Sequence, residues 1–165
     1  MAPDTEFRTL SILSTEPEDR TSEGTVIGTG NVLNLGEINT TDEAQDTPVQ
    51  VIWCRVTNMN GSTEISNIRI WISDITGFVG NNIWYMDITD TWIQGKTAVQ
   101  VKTGSPGTAP IVEPSANLTK IGGGVISDTT HDQTSPYMYI TGNIGVNETT
   151  GTQNGLKLTV KFDYH

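Results

Sequence analysis

The residues able to act as nucleophile, general base or soft metal ligand are few: one cysteine, Cys54, and two histidines, His131 and His165. Nucleophilic catalysis needs a base within hydrogen-bond reach of a serine or cysteine, and a third group to orient that base. His131 lies in the polar run Asp128-Thr-Thr-His-Asp-Gln-Thr-Ser135, which reads as a surface loop. Cys54 stands between Trp53 and Arg55 in an apolar run and reads as a small buried hydrophobe. Without ligand spacing, no zinc site is expected. Gly122-Gly-Gly124 lacks the strand–loop–helix setting of a phosphate cradle and reads as a bulge or loop.

Carboxylates offer more material. Asp74, Asp87 and Asp90, with Asn81 or Asn82, could converge on a calcium ion, which takes roughly six to eight oxygens. The calcium-loop pattern is absent, so these are expected as loop acids facing water. Two of them could also serve as acid and nucleophile on a sugar, but only at a defined separation that nothing in the spacing supports. No catalytic residue, cofactor or metal is expected, and the chain reads as non-enzymatic.

Aromatics form the next constellation: Trp71, Trp84, Tyr85 and Trp92. Displayed on an open sheet they could stack sugars. Interleaved as they are with Ile83, Met86, Ile88 and Ile93, they read better as core and subunit interface, where Trp and Tyr are enriched.

The elements that must position these residues are strands. Thr (26), Gly (17), Asn (12) and Ser (10) dominate, and charged residues make up only 17%. Those types favour strands and turns over helix interiors. In 155–163, Leu156, Leu158, Val160 and Phe162 alternate with Lys157, Thr159, Lys161 and Asp163. In 66–73, Ile68, Ile70 and Ile72 point inward, which places Arg69 and Trp71 on the outer face. Residues 49–57 are apolar on both faces, as a central strand is. Asn60-Gly61 is a strong hairpin turn signal, so 49–57 and 66–73 are expected to pair antiparallel. Further strands are expected at 25–28, 31–38, 83–93, 97–102, 118–126 and 136–146, with no helix. The fold class is all-β: a single antiparallel sandwich, immunoglobulin-like or jelly roll, over residues 25–165.

Charge is uneven. Residues 1–50 carry ten acids and two bases, and 51–165 carry nine and seven. Such an acidic chain is not a nucleic-acid binder, and the composition holds no membrane span. Residues 14–24 offer nothing apolar to offset ordering entropy. Residues 1–24 therefore read as an extended acidic arm. It is a frayed terminus, a segment whose Phe7, Leu10, Ile12 and Leu13 add a strand to a neighbouring subunit, or an edge strand of the chain's own sheet. On that reading its removal leaves the sandwich folded. The opening residues lack the apolar stretch of a secretory signal, which predicts a protein assembled in the cytoplasm.

Asn34-Leu-Gly-Glu-Ile38, then Val51-Ile-Trp-Cys-Arg-Val-Thr-Asn58, then Ile65-Ser-Asn-Ile-Arg-Ile-Trp-Ile-Ser-Asp74 resembles the front of immunoglobulin-like sandwiches that recur among tailed-phage virion proteins, head decoration proteins included, and in some bacterial and archaeal surface domains; the lone cysteine and the opening residues favour the virion setting. The resemblance implies a structural subunit on the virion surface, bound to the major capsid protein or other virion proteins. Trp71 on the wet face beside Arg69, with few charges in 51–165, predicts a homo-oligomer, which the analogy makes a trimer. The expected interface residues are Phe7, Leu10, Ile12, Leu13, Arg69, Trp71, Trp84, Tyr85 and Trp92. The alternative is a carbohydrate-binding or adhesin module using the Trp and Tyr cluster.

Overall fold

The computed structural model describes residues 1–28, 33–78, 80–148 and 156–165. Its strands in chain order are β1 (Asp4–Leu10), β2 (Thr25–Ile27), β3 (Gln45–Asp46), β4 (Gln50–Asn58), β5 (Ile65–Asp74), β6 (Ile83–Thr89), β7 (Pro106–Thr108), β8 (Tyr137–Ile144) and β9 (Lys157–Tyr164). Among the described residues an α-helix, α1 (Ala98–Lys102), lies between β6 and β7, and a 3-10 turn spans His131–Gln133. The larger sheet runs β2-β1-β4-β8-β6-β7, with β3 also bonded to β8, and the smaller one is β5-β9. Every pairing is antiparallel.

β4 is the hinge of the packing, and its two faces serve two clusters. Ile52, Cys54 and Val56 meet Ile65, Ile68, Ile70 and Ile72 of β5, Trp84 and Met86 of β6, and Met138 and Ile140 of β8. This is the layer between the two sheets. On the opposite face Val51 and Trp53 join Val101 of α1 and the fully buried Tyr137 and Tyr139. Each such side chain contributes about 1.5–3 kcal/mol when wholly covered. The all-β, sandwich-like class and the doubly buried central strand read from sequence both hold.

Pairing departs from expectation. The Asn60-Gly61 turn forms, with φ of 51° and 86°. It does not close a hairpin, because β4 is bonded on both edges, by β1 and β8. Residues 59–64 therefore carry the chain into the other sheet, where β5 pairs β9. There Leu156, Leu158, Val160 and Phe162 pack against the inter-sheet cluster while Lys157, Lys161 and Asp163 are exposed, as the alternation predicts.

The expected strand at 97–102 is α1. Thr97 and Gln100 form a reciprocal capping box, which satisfies helix-start amides and outweighs the strand-like spacing of Val99 and Val101. Only Val101 is buried; Val99 is 67% exposed. Residues 118–126 make isolated bridges alone, Ile68 to Leu118 and Ile65 to Ile126. Gly122, Gly123 and Gly124 all take positive φ, which no continuous strand tolerates. Of the expected strand 31–38, residues 31 and 32 lie outside the described residues and 33–38 form none.

The N-terminal segment is the largest correction. β1 is not an arm: it sits between β2 and β4, with Phe7 opposite Cys54. Polar bonding orders the acidic stretch behind it. Arg8 donates to the carbonyls of Ser22, Glu23 and Gly24. Arg55 donates to the Thr21 carbonyl, and the Trp53 indole to that of Arg20 at 2.8 Å. Arg20 is itself buried and donates to Thr134 and His131. His131, expected in a surface loop, accepts the Arg20 backbone N–H at 2.9 Å. Glu6 bridges Arg8 and Arg55, and the Tyr137 hydroxyl donates to Glu16. Hydrogen bonds to arginine supply what apolar burial does not.

Candidate interaction surface

The smaller sheet turns one face to the core and one outward. Period-two alternation puts Arg69 and Trp71 of β5 outward, across from Lys161 and Thr159 of β9, and past a register shift after Ile72 the next paired residues are Asp74 and Lys157. A bulge near Asn67 (φ 49°) lets its side chain donate to Asp163 at 2.9 Å. Arg69 bonds Asp163 at 2.9 Å and Glu113 at 3.2 Å, and Lys161 reaches the same Glu113 at 3.1 Å. The Asn67 bond, with the Arg69 charge, holds the Asp163 carboxyl below the usual carboxylate range. Arg69 is thereby fixed beside Trp71, which is half-buried.

The loop that supplies Glu113 borders the same face. The Ile72 N–H bonds the Pro110 carbonyl at 2.9 Å, and the Asn117 side chain brackets the backbone of Ile70. Between these anchors, and between Pro110 and Pro114, Ile111 and Val112 are 56% and 73% exposed. Two adjacent aliphatics held out on a proline-flanked loop, next to an arginine and a tryptophan, make a surface suited to protein contact. Sequence reading reached Arg69 and Trp71 through the alternation. It missed Ile111, Val112 and Glu113, whose closeness to β5 comes from a long-range bond.

The other expected interface residues do not join this surface. Trp84 is 3% exposed in the inter-sheet cluster, with an indole N–H that has no partner among the described residues. Tyr85 follows it on β6 and so faces the opposite side, under Lys102. Trp92 packs edge-on against Tyr137 and donates to the Ser14 carbonyl. Phe7, Leu10 and Ile12 are half-buried against the two clusters, and Leu13 alone is widely exposed, at 71%. The aromatics thus occupy three separate environments and form no common stacking platform.

The carboxylates are dispersed as well. Asp74 accepts from Thr76 N–H and Asp90 from Gly122 N–H, in different loops. Asn81 and Asn82 bond within the 145–148 turn. Asp87, expected to face water, is buried on β6 and ion-paired with the equally buried Lys96.

Cys54 lies in the inter-sheet cluster, and burial, helped by the Glu6 charge, pushes its thiol up to about 12. Burial likewise raises the Tyr139 hydroxyl to about 12, against the opposing hydrogen bond from the Ile93 N–H. Their ordinary values are 9.0 and 10.0, so the unfolded chain releases these protons first. Stability is therefore expected to be intact below pH 9 and to fall as pH rises towards 12. Melting temperatures measured across that window check it; a flat profile would refute the assignment. Neutral alkylation should label Cys54 only in denaturant.

Comparison of the chain with protein-family models, curated proteins and solved structures finds no match.

Proposed function

We propose that the protein is a non-enzymatic structural subunit that attaches to a larger protein assembly, a virion capsid surface, through the outer face of β5 and its bordering loop. The observation that carries this is the exposed Ile111–Val112 pair between two prolines, beside Trp71 and an Arg69 fixed by two carboxylates. Buried aromatic and arginine anchors ringed by polar groups supply most of the energy at protein interfaces. The resemblance of 34–38, 51–58 and 65–74 to head decoration proteins supports the virion as the setting. On this reading the partner is the major capsid protein, the protein works as a homo-oligomer, and its place is the virion surface.

Cosedimentation with assembled capsids of the virus that carries the gene tests the reading. Wild-type protein is expected to pellet with capsids, and Trp71→Ala to weaken binding by about 2 kcal/mol, roughly 30-fold in Kd. Ile111→Ser with Val112→Ser should do the same without changing the melting temperature, since both side chains already face water. A protein that stays in the supernatant but binds sugars on a glycan array would instead be the carbohydrate-binding module.

A further inference from the structure

Lys96 and Asp87 form the most deeply buried ion pair among the described residues, with side chains 4% and 10% exposed. The Lys96 Nζ is in direct contact with Asp87 Oδ2. The other carboxylate oxygen, Oδ1, accepts the Ser105 N–H at 2.9 Å. The Tyr139 ring covers the ammonium, its centroid 4.6 Å from Nζ. Gly104 lies against the carboxyl: a Cβ there would stand 2.1 Å from Asp87 Cγ. Space beside the carboxyl carbon is open only because residue 104 has no side chain.

A buried pair of full charges is costly, because neither ion recovers its hydration. An amine and a carboxyl group held in contact are the two halves of an amide. We propose that Lys96 and Asp87 condense into an intramolecular isopeptide bond.

The step balances without any further reactant. The ammonium gives one proton to Oδ2, leaving a neutral amine and a neutral acid. The amine lone pair attacks Cγ and forms the N–C bond. Negative charge gathers on Oδ1, where the Ser105 N–H already donates within the distance an oxyanion donor requires. The attacking nitrogen passes its surplus proton to the Oδ2 hydroxyl. The C–Oδ2 bond breaks and water leaves, so ammonium plus carboxylate becomes amide plus water. What favours the step is placement: reacting groups held in contact reach effective molarities of about 10⁵–10⁸ M.

The bond would close the loop between β6 and α1. That loop carries Trp92 into the Tyr137–Tyr139 cluster. Its Gly95 and Gln94 donate to the carbonyls of Ile12 and Leu13, so the cross-link would also anchor the N-terminal segment. This inference is independent of the capsid reading.

Intact mass and trypsin mapping of the unfolded full-length chain decide it. The wild-type chain is expected to be lighter than its sequence by one water. Trypsin should fail to cut after Lys96, and the deficit should sit in the fragment 70–102, released by cleavage after Arg69 and Lys102. Lys96→Arg keeps a cation opposite Asp87 but supplies no amine, so that chain is expected at its full mass. A wild-type chain at full mass, cut after Lys96, would overturn the proposal and leave an ion pair, whether or not any variant folds. A water deficit that survives in Lys96→Arg would place the loss at an aspartyl succinimide and would equally overturn it.

Discussion

Deleting residues 1–24 is expected to abolish the cooperative thermal transition. β1 is hydrogen-bonded on both edges, to β2 and to β4. Its loss strips one edge of β4 and leaves β2 without a partner among the described residues. Phe7, Leu10 and Ile12 leave the clusters they cover. At about 1.5–3 kcal/mol for a wholly buried side chain, three half-buried ones contribute a few kcal/mol. The Trp53 indole loses its acceptor at Arg20, and Arg55 loses the Thr21 carbonyl and the bridging Glu6. Each unpaired buried polar group adds about 1–3 kcal/mol. A domain's whole stability is roughly 5–15 kcal/mol, so the combined loss is of the same size. Calorimetry of the truncated chain checks it. A melt within a few degrees of wild type would restore the reading of this segment as a dispensable arm.

Trp53→Ala carries the next largest expected effect, a loss of about 3–5 kcal/mol. The side chain is fully buried on β4, its ring set edge-on to Tyr137 at 6.1 Å. It also tops the path to the N-terminal segment: a Cβ on Gly24 would stand 2.8 Å from its ring. Two contributions overlap here, apolar burial and the bond to Arg20, and Trp53→Phe separates them. Phe keeps most of the burial but orphans the carbonyl, so it should cost only about 1–3 kcal/mol. Equilibrium urea unfolding of both variants gives the comparison. Equal losses in the two would mean that the hydrogen bond, and not the ring's packing, is the major contribution.

Alternation of apolar residues was sufficient to recognise β5 and β9, two apolar faces to recognise β4, and the flanking turn residues to delimit β8, and with them the all-β class. Each strand's own backbone sends successive side chains to opposite faces, so this information is local. The outward placement of Arg69 and Trp71 followed from the same rule. The same rule separates Trp84 from Tyr85, neighbours on β6. At 97–102 the strand-like spacing of Val99 and Val101 misled, because the reciprocal Thr97–Gln100 capping box makes the segment a helix.

The residues alone determined the all-β class, the strands β4, β5, β8 and β9 and that Cys54 is buried; only the tertiary structure decided which strand edges meet, and that 4–10 is a strand while 97–102 is a helix. An edge is available or taken according to segments far away in sequence, and so the Asn60-Gly61 turn leads between sheets instead of closing a hairpin. The acidic segment at 14–24 belongs to the folded body for the same reason. Its partners, Arg8, Trp53, Arg55 and Tyr137, are spread over three strands and converge only when β1, β4 and β8 lie side by side. Lys96 and Asp87, nine residues apart, likewise meet because the chain turns back after β6 and packs Lys96 beneath Tyr139 of β8. Composition along the chain carries no term for such distant pairing, which is a property of the assembled sheet.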